Sequence, residues 1–585
     1  MRPWGVNPST TLARIAVDAL LAAGVTQVVL CPGSRSAPMA YALHDALGPA
    51  RSGGPARLHV RHDERAAAFT ALGVGALGPG MAAVVTTSGT AVANLHPAVL
   101  EAHHANVPLV VLTADRPRAL RGTWANQTTE LQADLFGDAV RSRLDLADTD
   151  AVADPGGARR RLAAVLAAAV GAAPGARPGP VHLDLGFTDP LLPDDDPVPG
   201  AAGAAAPHAS PGGDAEPGPG PDPVELASGP ATVVLAGDRS PAQALDLARA
   251  TGWPLLAEPS SGVRTGGSAG PYRLLLELPE LGGAVRRAVV FGRPTLSRPV
   301  TRLLARDDVE VVVVSPYPAW PEPGRPVRRV PAVAGPPPGP HEQRWGDRWQ
   351  RAGVAARAAL DGVLDADDAA GRLTGPLLAR EVAAAMRPGE VLVAAASNPV
   401  RDLDLAAAGF AAEVRVVSNR GLSGIDGTLS TAVGAALGGA RVRVLVGDLA
   451  FLHDLNGLLA GPHDARPDVQ VVVLDDDGGG IFSLLEHGQR GGRDPQRAHA
   501  FDRLFGTPHG ADLAALCRGM GVPHRLVDDL TGLRRALASS DERPVAGPEV
   551  VRVRADRSQL RDLHARIRAA VHAAVTDELT GPRGR

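Results

Sequence analysis

The segment Arg443 to Phe482, RVLVGDLAFLHDLNGLLAGPHDARPDVQVVVLDDDGGGIF, constrains this chain more than any other. An apolar, β-branched run ends at Gly447-Asp448, a helical segment follows, and a second run, Val469 to Leu474, ends at Asp475-Asp476-Asp477 and three glycines. β-Branched side chains crowd a helix and suit a pleated surface, so the pattern predicts strand, helix, strand. Strands joined by such a crossover are parallel. Both run-ends then lie on the carboxyl edge of the sheet, where open α/β folds bind ligands. Two acidic tips on that edge suit one divalent cation, which takes hard oxygen ligands, and the N–H groups of the glycine run and helix start suit a phosphate. The competing reading is ordinary turn chemistry, because Gly-Asp and Asp/Gly clusters also make solvated loops.

The same alternation recurs along the chain, which at 585 residues is too long for one core. Residues 1–190 carry apolar runs at Val25–Leu30, Leu58–Val60, Ala82–Thr86, Leu109–Thr113 and Val181–Leu185, with helical patterns such as Thr11–Ala23 and Ala66–Leu77 between them. This predicts a doubly wound, parallel α/β domain. Residues 191–230 are rich in Pro and Gly and read as a linker. Residues 231–332 alternate again (TVVLAG, AVVFG, VEVVVVS) and predict a middle α/β domain; no GxGxxG follows its first run, so no dinucleotide site is expected there. Residues 333–345, with VAGPPPGP, read as a second linker, and residues 346–585 as a third α/β domain. The fold class expected is therefore α/β, with three doubly wound parallel-sheet domains.

Composition excludes several functions. A net charge of −4 gives no electrostatic footprint for nucleic acid, and short basic runs such as Arg159-Arg160-Arg161 read as solvated helix faces. Two cysteines, Cys31 and Cys517, make no disulfide framework, and neither a signal-peptide core nor a run of transmembrane length is present; a soluble protein of the reducing cytoplasm is expected. All 59 residues counted as Lys+Arg are Arg. Without a lysine amine there is no Schiff-base or pyridoxal-phosphate chemistry, and no Walker-A phosphate loop.

In the first domain, HVRHDERAAAFTALG places Glu64 just after a run-end and at a helix start. Two readings stand: complement to the helix macrodipole, or a functional carboxylate on the carboxyl edge. His62 and Asp63 beside it read as local packing rather than as metal ligands.

The Asp448–Asp476 spacing resembles the thiamine diphosphate signature, Gly-Asp-Gly followed later by Asn-Asn, with Leu449 for the second glycine and aspartates for the asparagines. Three α/β domains in this order resemble the thiamine-diphosphate-dependent decarboxylase superfamily: pyrimidine-binding (1–190), middle (231–332) and diphosphate-binding (346–585). Five places make the resemblance specific: CPGSRSAP from Cys31, RHDERA around Glu64, TTSGTAVANLHPAV with TADRP, WANQ, and SNRGLSGIDGTLSTAVG with GDLAFLHDLNGL and GGIFSLL. Together they resemble the 2-succinyl-5-enolpyruvyl-6-hydroxy-3-cyclohexene-1-carboxylate synthase family, in which Gly-Asp-Leu is the usual form.

The resemblance implies decarboxylation of 2-oxoglutarate and conjugate addition of the resulting succinyl-semialdehyde unit to isochorismate, in menaquinone biosynthesis. It implies thiamine diphosphate with Mg²⁺, or Mn²⁺ in its place. Asp448, Asp476 and the carbonyl of Gly478 would hold the metal, with Gly447, Leu449 and Ala450 near the diphosphate. Glu64 would hydrogen-bond the aminopyrimidine, Ile425 would prop the cofactor, and Ile481 and Phe482 would line its thiazolium side. Ser34, Arg35, Arg116, Gln127, Arg298, Ser397, Arg401 and Arg420 would handle substrate; Ser297 stands where the family often has a lysine. Both substrates carry two carboxylates, and the planar guanidinium of Arg is the natural two-pronged partner for each. Asp475 and Asp477 are expected to turn to backbone donors or water, since further carboxylates near a diphosphate repel it. Residues 486–509 read either as a lid or as a surface loop. The family further implies a homodimer or homotetramer, with Glu64 and Asp448 of each site supplied by different chains. Two rivals remain: a thiamine diphosphate enzyme acting on a monocarboxylic 2-oxo acid, of acetohydroxyacid synthase or decarboxylase type, and an inactive scaffold of the same fold.

Overall fold

A computed structural model describes residues 7–48, 56–77, 80–193, 222–317, 324–486, 488, 495–542 and 547–581. The chain forms two compact units, Met1–Gly218 with Asn419–Ala440 and His453–Pro467, and Pro219–Ser418 with Arg441–Leu452 and Asp468–Arg585.

The first unit is built on six parallel strands: β1 (Val25–Leu30), β2 (Arg57–Val60), β3 (Met81–Thr86), β4 (Leu109–Asp115), β5 (Arg143–Ala147) and β6 (Pro180–Gly186), in the order β2-β1-β3-β4-β6-β5. Side chains alternate across a sheet with period two, and helices here cover both faces. Val28 and Leu30 of β1 therefore join one apolar cluster with the Pro8–Ala22 helix, while Val29 joins another with Phe69 of the Glu64–Leu77 helix and Val99 of the His96–Ala105 helix. The Thr428–Leu437 helix belongs to this unit and lies backbone to backbone on the Glu64–Leu77 helix. A Cβ on Gly434 would sit 1.9 Å from the Thr70 carbonyl oxygen, and one on Gly73 2.1 Å from that of Thr431. Only glycine permits that approach.

The second unit holds β7 (Val224–Glu225), β8 (Thr232–Ala236), β9 (Leu255–Ala257), β10 (Arg287–Phe291), β11 (Glu310–Val314), β12 (Arg328–Val330), β13 (Val333–Ala334), β14 (Val391–Ala394), β15 (Arg415–Val417), β16 (Val442–Gly447), β17 (Val469–Asp475), β18 (His524–Val527) and β19 (Glu549–Arg554). They form a five-stranded sheet, β12-β11-β10-β8-β9, and a six-stranded one, β15-β14-β16-β17-β19-β18, whose order repeats that of the first unit. One apolar core serves both: Val233 and Leu235 join Leu378 and Val472 through Trp345 and Trp349 of the Pro340–Ala369 helix.

The two stretches read as linkers contain order that their composition concealed. β7 and β13, one from each, pair in parallel, Leu226 is buried, and the Pro340–Ala369 helix begins inside the second. A few alternating apolar residues suffice for a two-residue ladder even in a Pro-rich context. Residues 194–221 of the first stretch lie outside the described residues. No helix among the described residues is long and apolar enough to cross a membrane.

Candidate active site

In the order β15-β14-β16 the chain leaves β14 to opposite sides, so a crevice opens outside the carboxyl ends of β14 and β16. Gly447 pairs in register with Leu474, which brings the next residues, Asp448 and Asp475, to the same level of the edge. Asp448 is 2% exposed; its Oδ1 accepts the Leu449 N–H at 2.6 Å and its Oδ2 the Gly478 N–H at 2.8 Å. His509 Nε2 lies 3.3 Å from Asp448 Oδ2 and 3.8 Å from Asp475 Oδ1. Asp448, Asp475 and His509 bring possible ligand atoms within 4.8 Å of one another.

This grouping differs from the expected Asp448, Asp476 and Gly478. Gly478 faces Asp448 with its amide, and the chain turns where β17 ends at Asp475, Asp477 taking left-handed backbone with φ of 54°. Asp475 and Asp477 share the side facing His509, at 3.8 and 3.7 Å, while Asp476 lines a cavity of about 30 Å³ with Thr374, Asn398 and Asp402. Asp477 turns to backbone donors as expected, taking the His509 and Gly510 N–H groups at 3.1 Å each. Asp475 does so too, its Oδ1 taking the Asp477 N–H at 3.2 Å, while its Oδ2 takes Arg552 Nε at 2.5 Å.

Burial, with Asp475 nearby, pushes the Asp448 carboxyl up to about 6, against the bonds from Gly478 and Leu449 that favour its charge. Burial and then Asp448 push Asp476 up to about 7. Asp402, fully buried behind Asp476, is also pushed up to about 7. Asp448, buried, and Asp476, half-buried, both held above their ordinary range, are a donor set that a divalent cation would stabilise in ionised form. A Cβ on Gly447 would meet nothing within 4 Å, so the strand end opens onto free space beside them. The residues fit a metal–diphosphate group.

Of the other candidates in the second unit, Ser397 caps the Asn398–Ala406 helix with φ of 73°, and Arg401 Nη1 donates to the Ser397 carbonyl at 2.6 Å. Arg298 starts the Arg298–Leu304 helix after β10 and is exposed; among the described residues no hydrogen bond or ion pair joins it to the other candidates. Leu449 and Ala450 lie in the Asp448–His453 helix. Ile481 and Phe482 lie in the short helix after the glycine run, and Phe482 packs on Phe505 with ring centroids 5.6 Å apart. Within the stretch 486–509, Pro495–Phe501 is helical, and the Gly479 N–H donates to the Gly506 carbonyl at 2.7 Å.

The first unit gathers its candidates on the corresponding edge. Glu64 begins its helix half-buried, near enough to Cys31 that its charge, after burial, raises that thiol. Asp63 caps the same helix through the Ala66 N–H at 3.1 Å, as packing requires. Ser34 is exposed after β1; Arg35 is buried and donates to the Phe187 carbonyl at 2.9 Å. Arg116 follows β4 directly and donates to the Asn126 carbonyl at 2.7 Å. Gln127 adopts φ of 55° while its carbonyl accepts the Ser88 hydroxyl at 2.7 Å. Gln127 and Ser397 thus both hold left-handed backbone, a strain typical of functional loops. Arg420 is buried and Ile425 is exposed on the loop before the Thr428–Leu437 helix.

Sequence reasoning missed the support beneath Arg116. Arg121 lies between three carboxylates, at 2.7 Å from Asp115, 2.9 Å from Asp145 and 3.3 Å from Asp184. Burial and then Asp184 push Asp115 up to about 7. Each of these residues looks like a solvated charge in the linear chain.

Parallel sheets of repeated order, with acidic residues and glycines on the edge, define a thiamine pyrophosphate enzyme, thiamine pyrophosphate being thiamine diphosphate by its older name. Residues 10–136 match the N-terminal and residues 405–553 the C-terminal thiamine pyrophosphate-binding domain of such enzymes. The crystal structure of benzoylformate decarboxylase from Polynucleobacter necessarius is similar in fold, with a TM-score of 0.61 at 17% identity over 93% of this chain and 98% of that one. The chain is 52% identical to the 2-succinyl-5-enolpyruvyl-6-hydroxy-3-cyclohexene-1-carboxylate synthase of Kineococcus radiotolerans, over 97% of this chain and 100% of that one. To the enzyme of that name from Paenarthrobacter aurescens it is 49% identical, over 97% and 98%. The chain belongs to the 2-succinyl-5-enolpyruvyl-6-hydroxy-3-cyclohexene-1-carboxylate synthase family.

Proposed function

We infer that the protein decarboxylates 2-oxoglutarate and adds the remaining four-carbon unit to isochorismate, forming a carbon–carbon bond in menaquinone biosynthesis. The observation that carries this is family membership across nearly the whole chain, together with a buried acidic edge suited to metal and diphosphate. Thiamine diphosphate, when bound, supplies the electron sink that makes loss of CO₂ from a 2-oxo acid feasible.

The chain's own residues bind, orient and exclude water. Asp448 and Asp476 hold Mg²⁺ or Mn²⁺, their raised proton affinity giving way to the cation, with Gly478 beside them. Glu64 holds a proton on the aminopyrimidine side, at a helix start where a carboxylate is well placed. Ile425, Ile481 and Phe482 give the cofactor an apolar bed. Arg35, Arg116, Arg401 and Arg420, with Arg298 from the middle sheet, pair with substrate carboxylates, and Ser34, Gln127 and Ser397 place the remaining polar groups. Glu64 and Asp448 of one site come from different chains of a homodimer or a dimer of dimers. The protein acts in the cytoplasm.

Mass spectrometry of products tests this. With thiamine diphosphate, Mg²⁺, 2-oxoglutarate and isochorismate, the expected product has the mass of both substrates less CO₂. Turnover of pyruvate in place of 2-oxoglutarate would move the function to a monocarboxylate enzyme. Turnover of neither would leave a scaffold.

A further inference from the structure

Glu101 lies in the His96–Ala105 helix and is 4% exposed. Its Oε1 accepts the Gly421 N–H at 2.6 Å and its Oε2 the Leu422 N–H at 2.7 Å. Two consecutive amides thus converge on one carboxylate, an arrangement that binds anions strongly because both donors are fixed by the backbone. A buried carboxylate is costly unless such donors meet it. The fit is tight: a Cβ on Gly421 would lie 2.5 Å from the Glu101 carbonyl oxygen and 2.8 Å from Oε1.

The loop so held runs from Asn419 to Gly427. Its start is tied by Asn419 Nδ2 to Thr431 Oγ1 at 3.1 Å, and its end by Gly427, whose φ of 66° and closeness to the Phe69 ring exclude any side chain. Between these ends Ser423 also takes left-handed backbone, with φ of 63°, and Leu422 and Ile425 are exposed. A cavity of about 330 Å³, lined by Phe69, His96, Glu101, Asn419, Leu422 and Asp426, borders the loop. Arg420 immediately precedes the two clamped amides, so its backbone direction follows from the clamp.

We propose that Glu101 is a positioning residue: its carboxylate fixes the Asn419–Gly427 loop and thereby the placement of Arg420 towards substrate and of Ile425 towards cofactor. This rests on the roles given to those two residues under the proposed function.

Glu101→Gln keeps the size but turns an amide NH₂ group towards one of the two donors, whereas Glu101→Asp keeps the charge on a shorter stem. The expected result for E101Q is a KM for 2-oxoglutarate raised about tenfold, thiamine diphosphate affinity by titration calorimetry lowered by a similar factor, and faster hydrogen exchange across residues 419–427. E101D should lie between E101Q and the wild type in all three. A merely structural residue would instead lower the melting temperature and the yield of folded protein, with KM, cofactor affinity and loop exchange of the folded fraction unchanged. That result, or wild-type values throughout, would overturn the proposal. If the wild type neither binds thiamine diphosphate nor consumes 2-oxoglutarate, the functional reading fails instead, and loop exchange alone still reports on the clamp.

Discussion

The Asp454 carboxylate accepts both the backbone N–H of Ser430, at 2.7 Å, and its hydroxyl, at 3.0 Å, near the start of the Thr428–Leu437 helix. Burial outweighs these bonds and pushes the carboxyl up to about 6. A folded-state value above the ordinary 3.8 means that the folded protein binds this proton more tightly than the unfolded chain. The stability it contributes is full below the ordinary value and is lost as pH rises through about 6. Relative to Asp454→Asn, the wild type should therefore lose melting temperature between about pH 4 and about pH 7. A difference that stays constant with pH would contradict this.

The Gly434 contact with the Thr70 carbonyl predicts that Gly434→Ala forces two helix backbones apart. With a Cβ placed 1.9 Å from a main-chain oxygen, no rotamer change relieves the clash. A loss of about 2 kcal/mol or more is expected in thermal or urea unfolding.

Arg121 bridges Asp115, Asp145 and Asp184, with Arg118 also on Asp145 at 3.2 Å, and the Arg121 side chain is 11% exposed. Arg121→Ala leaves Asp115 and Asp184 facing one another, while Asp145 keeps Arg118. The expected cost is on the order of 3 kcal/mol by chemical unfolding, with partial recovery as pH falls and Asp115 protonates.

Glu64→Gln should keep the fold and the melting temperature while lowering decarboxylation of 2-oxoglutarate on the order of 100-fold or more, measured by CO₂ release. An active E64Q would return Glu64 to a helix-start role alone.

For the metal, Asp448→Asn and Asp476→Ala should each weaken Mg²⁺-dependent cofactor binding on the order of 100-fold in titration calorimetry. Asp477→Asn should change it by about twofold or less, because that carboxylate is already spent on the His509 and Gly510 amides. Unchanged affinity in D476A, with loss in Asp475→Asn, would move the metal to the Asp448–Asp475–His509 group.

The sequence alone determined the parallel α/β class and the strand–helix–strand edge from Val442 to Gly480. Strand identity follows from runs of β-branched residues, and the carboxyl edge follows from chain direction, both local properties. It also located the acidic tips, the arginines after strand ends and Glu64 at a helix start. Tertiary structure decided how these residues face. The turn after β17 set Asp476 apart from Asp475 and Asp477, and register set Asp448 level with Asp475. The left-handed backbone at Gln127 and Ser397 carries no glycine to announce it. Contacts remote in the chain left no local trace: Glu101 holds an amide 320 residues away, and Arg121 collects aspartates from three strands. A charge destined for a buried clamp and one destined for solvent have the same periodicity and composition. Only the folded chain supplies the desolvation and the opposing donors that distinguish them.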